Sequence, residues 1–198
     1  LRVIGSIAGG GGVNGFVQQW NTTGNALELR AQAHNDCFLL LDEIGQCPPK
    51  VLAQSAYDLI NGRGKERMTL DITLRSTAEW RLVVLSSGEI SIEQKIHEAN
   101  LSFMAGQSVR ILEVPADADA GYGMFEDLHD HNGSKAFAEY LQQASSKYFG
   151  TPLLAFLESF VACRAGELSR LHHTIDAITN SLMPPGSDSQ VGRVAKSF

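Results

Sequence analysis

Residues Cys37–Leu41 read C-F-L-L-L, five apolar side chains in a row, and Asp42 and Glu43 follow at once. A run this short and this saturated reads as a strand buried on both faces, since a half-buried strand would alternate apolar and polar positions. Such strands belong to parallel sheets covered by helices. They deliver the residues that follow to the carboxyl edge of the sheet, where folds of this kind bind ligands. Two adjacent acids at that edge can divide a task, one holding a divalent cation and the other polarising an attacking water. Two solvated acids ending a buried strand are an equally good reading of the run by itself.

The rest of the chain alternates strand and helix signals. Leu1–Ala8 reads as the tail of a helix, and Gly15–Trp20 as a strand. A turn at Asn21–Gly24 precedes a helix from a cap at Asn25 to His34, with Leu27, Arg30 and Ala31 on one face. Pro48-Pro49 suits the first turn of a helix with an apolar stripe of Val51, Leu52, Ala56, Leu59 and Ile60, closed by Asn61-Gly62. Gly64–Glu79 alternates Met68, Leu70, Ile72 and Leu74 with polar residues, which predicts a hairpin. Arg81–Leu85 reads as a second buried strand, and S-I-E-Q at Ser91–Gln94 as a capping box opening a helix to about Asn100. Val109–Val114 reads as a third strand and Ala116–Gly133 as a long loop. Helices follow over Ser134–Phe149, Pro152–Arg164 and Gly166–Leu182, then a Pro-Gly-Ser linker at Met183–Ser189. The class is α/β.

Composition narrows the partners. With 43% apolar and 19% charged residues the chain is an ordinary globular protein, and a net charge of -6 provides no global field for nucleic acid. The dense basic cluster is Arg63, Lys65 and Arg67, interrupted by Glu66. A solvated charged turn is the usual meaning of such a run. No apolar run approaches the roughly 20 residues of a membrane span. Cys37, Cys47 and Cys163 lack C-x-x-C spacing, which argues for reduced thiols and a cytoplasmic protein. His129, Asp130, His131 and Asp127 have a spacing that permits metal but no nearby partner, and read as a solvated loop.

The strand followed by Asp-Glu is also the Walker-B pattern of P-loop ATPases. A G-x-x-x-x-G-K-[ST] phosphate loop is not among the 198 residues, and Gly9–Gly12 has no Lys-Ser or Lys-Thr after it. Several longer strings decide between the readings: W-N-T-T-G-N-A-L-E at Trp20–Glu28, H-N-D then L-L-L-D-E-I-G-Q within His34–Gln46, and N-G-R-G-K-E-R at Asn61–Arg67. L-S-S-G-E at Leu85–Glu89, A-G-Q-S-V-R at Ala105–Arg110 and G-Y-G-M-F-E-D-L-H at Gly121–His129 join them. Taken together, the chain resembles the DUF927 family, the predicted ATPase domain of Cch-like helicases of mobile elements and prophages.

That resemblance implies a P-loop NTPase core of AAA+/RecA-like type that lacks its first strand and Walker-A loop, followed by C-terminal helices. It implies a partial core at residues 1–132, a helical part at 133–182, and at 183–198 a linker opening a truncated segment. ATP and Mg²⁺ are the implied cofactors. The implied partners are single-stranded DNA and further copies in a ring, with six the expected number, and no membrane. The resemblance makes Asp42 the Mg²⁺ ligand and Glu43 the catalytic base. Ser86 and Ser87, at the end of the next strand, stand where AAA+ enzymes place a polar sensor, although two serines capping a strand-to-helix turn would look the same. Glu89 is a further polar group near that edge. Arg110 becomes an arginine finger reaching a neighbouring subunit's nucleotide, against the alternative of an exposed arginine beside a strand. Arg63, Lys65 and Arg67 become the root of a pore hairpin gripping DNA phosphates. Arg193 is a candidate lid arginine. An AAA+ remodeller or transcription activator, and a catalytically silent interaction module, are the competing functions.

Overall fold

Among the residues described by the computed structural model (1–10, 15–66, 76–101, 111–184, 186–187 and 191–192), three strands form one sheet. They are β1 (Gln18–Gln19), β2 (Cys37–Asp42) and β3 (Leu82–Ser86), parallel and in that order. Gln18 lies opposite Leu41, and Leu41 lies opposite Ser86, so the carboxyl ends of all three strands are level. The helices are α1 (Arg2–Ala8), α2 (Gly24–Ala33), α3 (Pro49–Asn61), α4 (Ile92–His97), α5 (Ser134–Lys147), α6 (Thr151–Ala162) and α7 (Arg164–Leu182). The mixed α/β class holds. The chain divides into two units, Leu1–Gly5 with Gly12–Phe103, and Ser6–Gly11 with Met104–Phe198.

The saturated run behaves as its pattern demands. Leu39 and Leu41 are buried in a core shared with Trp20, Leu27, Ala31, Ile44, Cys47, Leu52, Ala56, Leu59, Trp80 and Ile96. Phe38 and Leu40 point to the opposite face, where the ring of Phe16 stands 5.3 Å from that of Phe38. A Cβ on Gly5 would come within 3.2 Å of Leu40 and 3.0 Å of Phe16, so this α1 glycine lets the helix lie close on β2. Both faces of β2 are therefore covered.

Strand β3 is different. Leu82 and Val84 pack against the core, but Val83 is 66% exposed and Leu85 40%. The expectation of a second strand buried on both sides is corrected: an apolar run of five cannot say how many of its faces the rest of the chain covers. Residues 111–114, expected as part of a third strand, form no strand, and Leu112 and Val114 are exposed. Val109 and Arg110 lie outside the described residues.

The caps follow their chemistry with one change. Thr23, not Asn25, caps α2, its hydroxyl accepting from the Ala26 amide at 3.3 Å. The buried side of that helix is Leu27, Glu28 and Ala31, while Arg30 reaches back to the Gln19 carbonyl at 2.8 Å. The capping box at Ser91 forms in both directions, and α4 ends at His97. Gly62 ends α3 at φ 69°, and a Cβ there would lie 2.5 Å from the Trp80 carbonyl oxygen. A left-handed glycine is the residue this close crossing requires.

That crossing ties down the ends of the basic segment. The Trp80 amide donates to the Gly62 carbonyl at 2.9 Å and the Gly64 amide to the Ala78 carbonyl at 2.8 Å. Arg63 and Glu79 form an antiparallel bridge. The two ends of the segment expected as a hairpin thus meet as an antiparallel pair, while residues 67–75, including Arg67, lie outside the described residues. Among the described residues no helix is long and apolar enough to cross a membrane.

Candidate functional site

The level carboxyl ends of β2 and β3 bring the Asp-Glu pair and the Ser-Ser pair together. Ser87 continues the β2–β3 ladder: its amide donates to the Leu41 carbonyl at 3.1 Å, and its carbonyl accepts from the Ile44 amide at 3.0 Å. Its hydroxyl donates to the Asp42 carboxylate through Oδ1. It also accepts, at 3.4 Å, from the Glu43 amide. One serine side chain therefore fixes the rotamer of Asp42 and steadies the backbone of Glu43. Asp42, Glu43 and Ser87 are all half-buried, wet enough to meet a ligand and held enough to have one geometry.

Glu43 adopts φ 60°, ψ 72°, the left-handed conformation. For a residue with a side chain this costs about 1–2 kcal/mol. The next residue maintains it. Ile44 is buried, its amide is held by Ser87, and it begins the short 3-10 turn Ile44–Gln46. The chain must leave the sheet within one residue while Asp42 stays at the edge, and a left-handed residue makes that turn. A Cβ on Gly45 would lie 3.0 Å from Glu43 Oε1, so the carboxylate lies back over a glycine.

Gly88 completes the pinning. A Cβ there would stand 2.2 Å from Ile44 Cγ2 and 3.2 Å from Ile44 Cβ. Gly88→Ala is expected to destabilise the protein by about 1–3 kcal/mol, because a buried branched side chain must move. In a double-mutant cycle read by urea unfolding, Ile44→Ala removes the opposing methyl and should make the Gly88 change markedly cheaper. Strict additivity of the two changes would show that Gly88 does not act through Ile44.

The other expected site residues fall in different places. Ser86 turns into the core, where its hydroxyl accepts from the indole of buried Trp20 at 2.8 Å. It anchors the sheet and does not join Asp42. Glu89 is exposed just beyond. Arg63 pairs with Glu66 at 2.9 Å and Lys65 with Asp58 at 3.8 Å. The first pair is exposed on both sides and contributes little, whereas the second places Lys65 at the edge of a largely buried carboxylate. Arg67, Arg110 and Arg193 lie outside the described residues.

Cys47, buried beneath the site, has its thiol pushed up to about 11 by burial, with the Lys95 ammonium opposing the shift. It stays a protonated thiol at neutral pH and is packing, not a nucleophile. In the second unit, His129 and His131 pack on buried Phe137 at 5.5 and 5.0 Å between ring centres. His131 Nδ1 lies within hydrogen-bond distance of the carbonyls of Leu128 and His129, at 2.9 and 3.0 Å. Those rings form an aromatic cluster around one phenylalanine. Among the described residues, no three His, Cys, Asp or Glu side chains converge as a metal site.

Sequence reasoning named Asp42, Glu43 and Ser87, and the structure brings these three together at one sheet edge. That reasoning missed the left-handed turn at Glu43, for which no local residue signals a positive φ, and the bond from Trp20 to Ser86. No curated protein and no solved structure matches the chain. Residues 1–79 match the family model of DUF927, a domain of unknown function. The matched stretch holds the strings at Trp20–Glu28, His34–Gln46 and Asn61–Arg67, whereas those after Leu85 lie beyond it. Over those 79 of its 198 residues the chain is similar to DUF927.

Proposed function

We propose that the chain carries the hydrolytic edge of a P-loop ATPase motor that moves single-stranded DNA, working as a ring of several copies. The observation that supports this most is the hydrogen bond from Ser87 to Asp42 beside the left-handed Glu43, at the carboxyl end of a doubly buried parallel strand. Strain held at one acid while its neighbour is oriented by a hydroxyl supports this reading, since such strain clusters at active sites.

The donors present suit a hard cation. Magnesium takes one or two carboxylates from a protein and fills its remaining positions with water and phosphate oxygens. Asp42 has one carboxylate oxygen engaged by Ser87 and the other available for such a role. Bound with ATP, the ion would neutralise charge on the phosphate oxygens. Glu43 takes the proton of the attacking water, and its fixed backbone aims the carboxylate before substrate arrives. Ser87 keeps Asp42 in its productive rotamer. Arg110 serves as the finger that meets charge on a neighbouring subunit's nucleotide. The phosphate loop is a part of this machine that the 198 residues do not contain.

Arg63, Lys65 and Arg67 are the DNA contacts in this reading. Arg63 and Lys65 stand at or beside the antiparallel root formed by residues 62–64 and 78–80, in a chain of net charge -6. The test uses these 198 residues joined to a phosphate loop. Lys65→Ala with Arg67→Ala should weaken single-stranded DNA binding for all sequences and flatten the log affinity–log salt slope by roughly 0.7 per contact. Basal ATP hydrolysis should persist while its stimulation by DNA disappears. Unchanged DNA binding with collapsed basal hydrolysis would move the cluster to a subunit interface. An absence of any ATP hydrolysis in the unmutated protein would instead favour a silent interaction module.

A further inference from the structure

Trp20 directly follows β1, is buried, and bonds to both strands that carry the candidate site. Its main-chain amide donates to the Asp42 carbonyl at 3.2 Å. Its indole reaches past β2 and donates through Nε1 to Ser86 Oγ on β3 at 2.8 Å. The first bond is one that any sheet residue can make. The second ends on a hydroxyl next to Ser87, and that gives it a narrower consequence.

A serine hydroxyl has one proton and two lone pairs. With a lone pair of Ser86 taken by the indole, its proton is turned to the Ser87 carbonyl at 3.3 Å. The same carbonyl accepts from the Ile44 amide at 3.0 Å. Ser87 is thus held through its carbonyl while its hydroxyl donates to Asp42 and accepts from the Glu43 amide. Hydrogen bonds that follow one another in series polarise and strengthen their neighbours. The series here runs from a core indole through Ser86 and Ser87 to the carboxylate at the sheet edge.

Trp80 supplies the comparison. It is buried in the same core, and its indole donates to the Leu59 carbonyl in α3 at 3.1 Å. Both tryptophans fill space and satisfy their N–H groups. Of the two, Trp20 does so through a residue that is bonded to the site.

We propose that Trp20 is a positioning residue of the Asp42–Glu43–Ser87 site, acting through Ser86 to fix Ser87 where it binds Asp42. Its consequence for catalysis rests on the ATPase reading, whereas its consequence for geometry does not.

Hydrogen exchange of single amides in the 198-residue chain, followed by NMR, tests the geometry without nucleotide. Trp20→Phe keeps an aromatic ring and removes the N–H. It should speed exchange at the Glu43, Ile44 and Ser87 amides by at least about 5-fold beyond the loss of global stability measured by urea unfolding. Trp80→Phe removes a buried indole bond of the same kind and should leave those three amides at their wild-type rates after the same correction. Ser86→Ala breaks the Trp20 bond from its other end with the loss of one atom, so it decides the matter should Trp20→Phe not fold, and it should speed the same amides. In the Trp20→Phe background it should add little, because both changes remove one interaction. With these residues joined to a phosphate loop, Trp20→Phe should lower kcat by about 10-fold with KM unchanged. Wild-type exchange at the three amides, equal acceleration by Trp80→Phe, additive effects of the two partners, or an unchanged kcat in a protein that hydrolyses ATP would each overturn the proposal. An absence of hydrolysis in the unmutated protein removes the ATPase reading alone, and the exchange rates still decide the role of Trp20.

Discussion

If the proposed site hydrolyses ATP once joined to a phosphate loop, Glu43→Gln should lower turnover by about 10²–10⁴-fold while nucleotide binding stays near wild type. The amide is the same size and can keep the same left-handed backbone, because Ile44 and Ser87 hold that turn and the side chain does not. What disappears is a base able to take a proton from water. Asp42→Asn should behave differently. It removes a charge from the cation position and should weaken magnesium-dependent ATP binding itself, so that the loss falls mainly on affinity. Unfolding curves of both variants separate chemistry from folding. If the two changes lowered stability and activity in parallel, with no split between binding and turnover, the acids would be a strand terminus and nothing more.

Leu39→Ala should destabilise the protein by about 2–5 kcal/mol, the range for removing a fully buried leucine from a core that cannot close around the gap. Leu39 has no exposed surface and lies among Trp20, Leu52, Trp80 and the other residues of the cluster. Val83→Ala, in an apolar run that looks much the same on paper, should shift stability by no more than about 0.5 kcal/mol, because Val83 is 66% exposed. Urea denaturation of the two variants measures both, with the slope m expected to stay constant. Similar costs at the two positions would mean that the outer face of β3 is covered in solution.

The contrast between these two runs shows where reading the chain succeeds. C-F-L-L-L needs both faces covered, and α1 with Phe16 on one side and α2 and α3 on the other provide that cover for β2. L-V-V-L has the same local character, yet Leu82 and Val84 pack against the core while Val83 and Leu85 stay exposed. Burial is a property of neighbours far away in sequence, and no window of five residues contains them. The caps obey local rules more closely. Ser91 and Gly62 fall where their chemistry predicts, and the move from Asn25 to Thr23 is an error of two residues between equivalent cap formers.

By itself, the sequence determined the α/β alternation, the doubly covered central strand, the acids at its carboxyl end and the similarity of residues 1–79 to DUF927. Hydrophobic period, cap residues and strings of neighbouring residues carry that information, and all of it is local. Tertiary structure alone decided that Ser87 binds Asp42 while Ser86 turns away to Trp20, and that Glu43 sits in a left-handed turn maintained by Ile44 beneath Gly88. Those contacts join residues more than 40 positions apart. They exist because two parallel strands end at the same level, a register that the folded sheet sets and no short segment encodes.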